Sequence, residues 1–364
     1  MTAIAIAAGG GGDAVTAAVI AQKMPDLRIE AIMSYSWDRL IIDPSPGPRS
    51  SADFYGLIRH DGFYEVTSTA GLRTGGHSTL PRLTRHIDLP ILLMDINAGT
   101  TGLSNQIRSA AAAFDAEEIV VVDVGGDIVA AGHEPGLRSP LADSVALAAA
   151  TMSGLTSHVL VAGVGLDGEL PVAEVDTRLT RLDATDIAVL TRSDVRGFEP
   201  IWSWHPSEAN GLLAAGAAGW RGTVETQRNS TIRIDDATTH VFQLRGTVLA
   251  NDSLSTLVLT ATSLAEIEQV LRSRRGYSDV DVERNRLSGH FAARTPTADV
   301  LAEIDQYSKD AAARGIDALT IRRVIELAGA TDTPSAETLR ELLSRQRPDR
   351  FRPPLFTARS LESR

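Results

Sequence analysis

Along the chain, short unbroken apolar runs end in glycine or an acid and then give way to helical periodicity. AIAIAA (3–8) runs into GGGGD and then AVTAAVIAQKM, and LRIEAIM (27–33) follows it. LPILLMDI (89–96) leads through NAGTTG into LSNQIRSAAAAF, EIVVVDV (118–124) leads into GGD, and SHVLVAGVG (157–165) leads into LDGE. A strand covered on one face alternates apolar with polar residues, whereas a strand buried on both faces is apolar throughout; these runs are of the second kind. Their alternation with helical segments predicts an α/β fold built on a doubly wound, mostly parallel, Rossmann-like sheet.

From about residue 224 the texture changes. TVETQRNSTIRI, THVFQLRG and STLVLTA alternate polar with apolar positions, which predicts added antiparallel strands. Beyond about 295 the pattern is helical, in ADVLAEIDQYSKDAAARG, LTIRRVIELAG and SAETLRELLSRQ, while the tail FRPPLFTARSLESR has no clear period. The chain is thereby divided into an α/β domain over 1–290, carrying a glycine-rich ligand site, and a helical C-terminal extension over 291–364. The arginine-bearing helical pair near the end reads as two packing helices rather than a DNA-binding unit.

Composition narrows the function classes. With 364 residues and 43% hydrophobic content the chain can bury a large core. Its net charge of −11 argues against nucleic acid or an anionic membrane as partner, yet leaves room for a local basic cleft. Cysteine is absent, which removes disulfides, thiolate metal sites and a cysteine nucleophile. No apolar stretch reaches bilayer length, and the first apolar run lacks a basic prelude. The expectation is a cytoplasmic protein without a membrane partner, whose ligand is a small anion.

The candidate chemistry sits where the apolar runs end. In a parallel sheet, ligands bind beyond the carboxyl ends of the strands. Glycine admits close backbone approach, and bared helix amides favour an anion. Gly10, Gly11 and Gly12, with Gly125 and Gly126, are therefore expected to cradle a phosphate, with Asn97 of the third loop beside them. The acids Asp13, Asp123, Asp127, Asp167 and Glu169 would repel one another unless something positive sat among them. Mg2+ on Asp13, Asp127 and Asp167 answers that need, hard oxygen ligands suiting a hard cation. The proline-stiffened loops IIDPSPGPRSS and GHEPGLRSPLADS each present an arginine, Arg49 and Arg138, able to clamp an anion. The second also presents Glu134 and Asp143, with His133 as a candidate general acid or base beside Asp127 and Asp167. His77 and the group Trp202, Trp204 and His205 are weaker candidates for a cleft.

Other readings stay open. Gly9, Gly11 and Ala14 satisfy G-x-G-x-x-A, a dinucleotide signature, but the nearest acid, Asp38, lies past the second strand instead of at its end. DINAGTTG is similar to the ribose-phosphate loop of phosphoribosyltransferases, without their adjacent acids. No G-x-S-x-G elbow, P-loop lysine or H-E-x-x-H motif is present.

AAGGGGDAV, IDPSPGPRS, VDVGGD, GHEPGLRSPLADS and GVGLDGEL together resemble a family of archaeal and actinobacterial proteins grouped as a domain of unknown function. The resemblance spans roughly residues 3 to 260. It implies an α/β fold with these motifs grouped around a site, and it implies no particular reaction. The residues themselves favour an enzyme acting on a phosphorylated or nucleotide-like metabolite by metal-assisted hydrolysis or group transfer. The alternatives are an NAD(P)-dependent oxidoreductase and a non-catalytic nucleotide sensor, with the C-terminal helices as its output or homo-oligomer surface.

Overall fold

In the first strand, Ala3, Ala5 and Ala7 face one side while Ile4 and Ile6 face the other, and all are fully buried. Both faces of that strand must therefore be covered. A computed structural model, describing residues 1–227, 230–289 and 293–359, shows how. Helices Gly11–Lys23 and Glu208–Ala217 pack over the alanine face, and helices Gly99–Ala113 and Pro140–Met152 over the isoleucine face.

The strands in chain order are β1 (Ala3–Ala7), β2 (Ile29–Ser34), β3 (Phe54–Tyr55), β4 (Ile58–Arg59), β5 (Tyr64–Glu65), β6 (Gly71–Leu72), β7 (Ile91–Leu93) and β8 (Glu118–Val124). They continue with β9 (Thr156–Ala162), β10 (Thr185–Val189), β11 (Gly222–Glu225), β12 (Thr231–Ile234), β13 (His240–Arg245), β14 (Ala318–Thr320), β15 (Phe351–Arg352) and β16 (Leu355–Thr357). A nine-stranded sheet has the order β10-β13-β9-β8-β1-β2-β7-β5-β4, and β3 pairs with β6 apart from it. The central five, β9, β8, β1, β2 and β7, are parallel. β13, β10, β5 and β4 extend this core antiparallel at its two edges.

The chain path through the parallel strands decides where a ligand can sit. It runs outward from β1 through β2 to β7, then returns to lay β8 on the other side of β1. The connections after β1 and β8 thus leave in opposite directions. A crevice opens between their carboxyl ends, the topological switch point of a doubly wound sheet. Gly9–Asp13 follows β1, and Asp123 to Asp127 ends β8.

Two later segments differ from the sequence expectation. STLVLTA is not a strand: Ser255–Val258 is helical, because Leu254, Val258 and Ala261 recur at helical spacing and are buried while Leu257 is 46% exposed. The segment after 293 contains the expected helices, Ala298–Ala313, Ile321–Leu327 and Thr333–Gln346, and three strands besides. β14 lies parallel to β11 and antiparallel to β16, so a second sheet, β12-β11-β14-β16-β15, joins the hairpin at 222–234 to the C-terminal segment. The division at 290/291 falls outside the described residues. Among the described residues no helix is long and apolar enough to cross a membrane.

Candidate functional site

A cavity of about 210 Å³ opens at the switch point. Its floor is built by the carboxyl ends of β1, β8 and β9, and its walls by segments distant in sequence. Asp13 stands in the first turn of helix Gly11–Lys23 and does two things at once. Its Oδ2 accepts the Gly9 amide at 2.7 Å, and its Oδ1 accepts Asn210 Nδ2 at 2.9 Å. Asn210 is oriented in turn by Thr16, whose hydroxyl donates to Asn210 Oδ1 at 2.6 Å. Asp123, within β8, accepts the Gly126 amide at 2.9 Å. Asp143 lies in the first turn of helix Pro140–Met152, is only 4% exposed, and leaves Oδ1 without a hydrogen-bond partner.

Asp13, Asp123 and Asp143 each bring an oxygen within 4.8 Å of the others. Asp127 stands beside them, within hydrogen-bonding reach of both Asp123 and Asp167. Two carboxyl groups can share such a contact only through a proton or a cation. The crowding shifts the charges. Desolvation pushes Asp13 up to about 6, against the pull of the Asn210 and Gly9 hydrogen bonds. Asp123, Asp127 and Asp143 are raised far above the ordinary carboxylate range, by burial first and then by neighbouring carboxylates. Desolvation and then Glu169 raise Asp167 to about 7, and burial raises Asp279 to about 7.

The GLRSPLADS segment has a local physical explanation. Ser139 precedes a helix with Pro140 at its first position, and Glu169 accepts the Arg138 and Ser139 amides at 2.5 and 3.0 Å. Arg138 donates to the carbonyls of Asp167 and Gly168 at 3.2 and 2.7 Å, so it ties the loop after β9 to this helix start. Asp143 is held over the floor as a result.

Of the residues expected from sequence, Gly11, Gly12, Asp13, Asp127, Asp167 and Arg138 line the cavity. Gly10 lies at the turn into the first helix with φ 108°, a conformation that favours glycine. Gly125 and Gly126, both at positive φ, form the turn carrying Asp127 and sit behind the lining. Arg49 lies elsewhere: it is buried against Asp43 in a bidentate pair at 2.6 Å and donates to Ser45 and the Gly75 carbonyl. Glu134 accepts the amides of Ala131, Gly132 and His133 and closes its own loop. His133, Asn97 and His77 are exposed and outside the lining. Trp202 and Trp204 pack against the His205 ring, and His205 alone of that group reaches the cavity.

The side chains of Gly11 and Gly12 are missing for a packing reason. A Cβ on Gly12 would meet Ser207 Oγ at 2.5 Å and Asn210 Nδ2 at 2.7 Å, and one on Gly11 would meet Thr79 Oγ1 at 2.7 Å. Their amides still point out of the helix start with no intrahelical acceptor. Gly12→Ala is expected to cost about 1–3 kcal/mol through overpacking. Chemical denaturation of the variant checks this, and an unchanged midpoint would show that Ser207 and Asn210 yield freely.

Asp143 as a ligand, and Asp279, Arg39, Arg286, Asn210 and Ser207 in any role, are brought to the cavity by the structure without having been expected from the sequence. Asp143 did leave a signal, an acid inside the otherwise apolar PLADSVALAAA. Asn210 sits 197 residues from Asp13 and left none.

Comparison with known proteins adds the family. No curated protein and no solved structure matches the chain. A family model described as a protein of unknown function (DUF1152) matches residues 4–287, a span holding every cavity-lining residue named above. The chain belongs to that family, DUF1152, whose shared region ends just after Arg286 and so takes in the whole carboxylate floor.

Proposed function

We propose that the cavity holds a divalent cation, Mg2+ before others, on Asp13, Asp123 and Asp143, and acts on a phosphorylated or nucleotide-like small metabolite by hydrolysis or group transfer. One observation carries this reading: three carboxylates approach within 4.8 Å, and one of their buried oxygens, Asp143 Oδ1, has no partner. Leaving a buried acceptor unsatisfied is costly, and so is gathering like charges. The donor set, all carboxylate oxygen, suits a hard cation. When bound there, the cation would acidify a water and polarise a phosphoryl oxygen.

The chain's own residues supply the rest. Asn210 fixes the orientation of Asp13. Asp127, between Asp123 and Asp167, is placed to hold a proton and pass it to a leaving oxygen, and Asp167, near 7, is suited to receive one at neutral pH. Trp37, Val124 and Leu166 give the same cavity an apolar wall for a ring. The nicotinamide reading has less support, since Asp38 lies past the end of β2 and already accepts the Thr79 amide at 3.0 Å.

Calorimetric titration with Mg2+, with and without nucleotides and sugar phosphates, tests the proposal. Wild type is expected to bind Mg2+, and Asp143→Asn to weaken that binding at least about tenfold, the scale of a lost metal-site interaction. The same variant should melt higher than wild type in chelator, because it removes an acid that burial and its neighbours disfavour in the folded state. A wild-type protein that takes up no Mg2+ at millimolar concentration rules the cation site out. Ligand recovered unchanged after hours with saturating Mg2+ moves the protein to the sensor class.

A further inference from the structure

Above the acidic floor the cavity mouth is basic. Arg39, from the loop after β2, and Arg286, from helix Asp279–Ser288, both line it. Among the described residues neither guanidinium takes part in an ion pair or hydrogen bond, in a chain where most arginines near acids do. They stand close enough to act on each other: Arg286 is lowered by partial burial and then by the Arg39 charge, with Arg138 adding to it. Two unpartnered, mutually repelling cations share one rim, while the lining acids Asp38 and Glu283 are held by other donors, Thr79 and the pair Trp37 and Gly47.

Deeper in the same wall His205 points the same way. It is 6% exposed; its Nδ1 accepts the Ser207 amide at 3.2 Å, so the proton of the neutral ring sits on Nε2, which has no partner. Burial holds the ring far below its usual value, at about 3, so it donates at any physiological pH without adding charge. Nε2 lies 3.5 Å from the position a Cβ on Gly11 would take, beside the free amides of the helix start.

We infer that Arg39 and Arg286, backed by the Nε2–H of His205, form an anion clamp that takes the phosphate group of the ligand directly, without the cation. The inference rests on reading the cavity as the site of a phosphorylated ligand, and it adds that phosphate is held from two sides, by arginine at the mouth and by metal at the floor. Guanidinium forks match phosphate oxygens two at a time, and two forks suit a dianion better than a single carboxylate. A phosphate monoester or the terminal phosphate of a diphosphate is the ligand class that satisfies both ends. The two guanidinium charges offset the floor's repulsion of the anion, so the anion is captured before the cation arrives.

The test uses the full chain and inorganic phosphate and pyrophosphate as probes, titrated in chelator and then in Mg2+. In chelator, wild type is expected to bind pyrophosphate with an affinity that falls as salt rises. Arg39→Gln with Arg286→Gln should weaken that binding about tenfold or more, as lost charged hydrogen bonds do. Neither arginine holds any other group, so the double variant should keep the wild-type melting temperature and its Mg2+ binding. Asp143→Asn should lose Mg2+ and keep the chelator-insensitive anion binding. If the anion binds only when Mg2+ is present, or binds the double variant as well as wild type, the clamp is wrong and the cation site stands. If pyrophosphate binds in chelator but Mg2+ never binds, the clamp stands and the cation site fails.

Discussion

In chelator, the protein is expected to lose stability as pH rises from about 4 towards 8, and Mg2+ to cancel most of that loss. The sign follows from the folded-state shifts. Asp13 is raised from 3.8 to about 6, Asp167 and Asp279 to about 7, and Asp123, Asp127 and Asp143 further still. A raised carboxyl keeps its proton in the folded state at a pH where the unfolded chain has released it. Its favourable contribution is complete below the unfolded value, near 4, and disappears as pH rises through the folded value. For Asp13 alone a shift of this size corresponds to about 3 kcal/mol. The other acids interact among themselves, and Asp123 and Asp143 with Asp13, so the contributions do not simply add. Carboxylates held low by hydrogen bonds, such as Asp194 and Glu134, act in the opposite direction, but their windows lie below the ordinary carboxylate range. A cation among the floor acids replaces the missing protons, so the benefit of Mg2+ should grow between about pH 5 and pH 8. Melting curves across that range, with chelator and with Mg2+, make the check. Parallel curves with no growing gap would mean that the acids are compensated by protein groups alone.

Glu225→Leu is expected to lower global stability by about 3–5 kcal/mol, the cost of removing one partner of a buried ion pair. Glu225 ends β11, is 3% exposed, and accepts Arg323 Nε and Arg314 at 2.8 Å each together with the Tyr307 hydroxyl. Burial works to raise its pKa, yet the hydrogen bonds from Tyr307, Arg323 and Arg314 outweigh it and hold Glu225 below its usual value. Leucine strips all three at once and leaves the buried Arg323 with less acceptor. The partners lie beyond residue 300 while Glu225 lies in the region shared with the family. A single shifted transition is therefore expected, since β11 and β14 share a sheet. Two separate transitions, only the weaker of which moves, would show instead that the C-terminal segment melts as its own unit.

The parallel core was legible because a strand buried on both faces needs no period to be noticed; an uninterrupted apolar run such as EIVVVDV suffices. STLVLTA resembles a strand because its polar and apolar residues alternate, while the helical spacing of Val258 and Ala261 emerges only with Leu254, which precedes the segment. β14, β15 and β16 span two or three residues each, too few to carry a period of two. At the site, glycine followed by an acid marked the loops that carry Asp13 and Asp127. Residue type said nothing about direction. Arg49 and Glu134 stand in loops as polar as that of Arg138, but they turn inward to Asp43 and to three backbone amides.

By itself, then, the sequence determined the two-faced parallel sheet, the helices between its strands, and the glycine-acid loops at the strand ends, because each follows from local steric preference and burial pattern. Only the tertiary structure decided which loops meet. The return of β8 to the far side of β1 places Asp13 against Asp123, and the same packing carries in Asp143, Asn210, Arg39 and Arg286 from four separate segments. Their convergence is set by strand order and helix packing, long-range quantities that leave no trace in the spacing of residues along the chain.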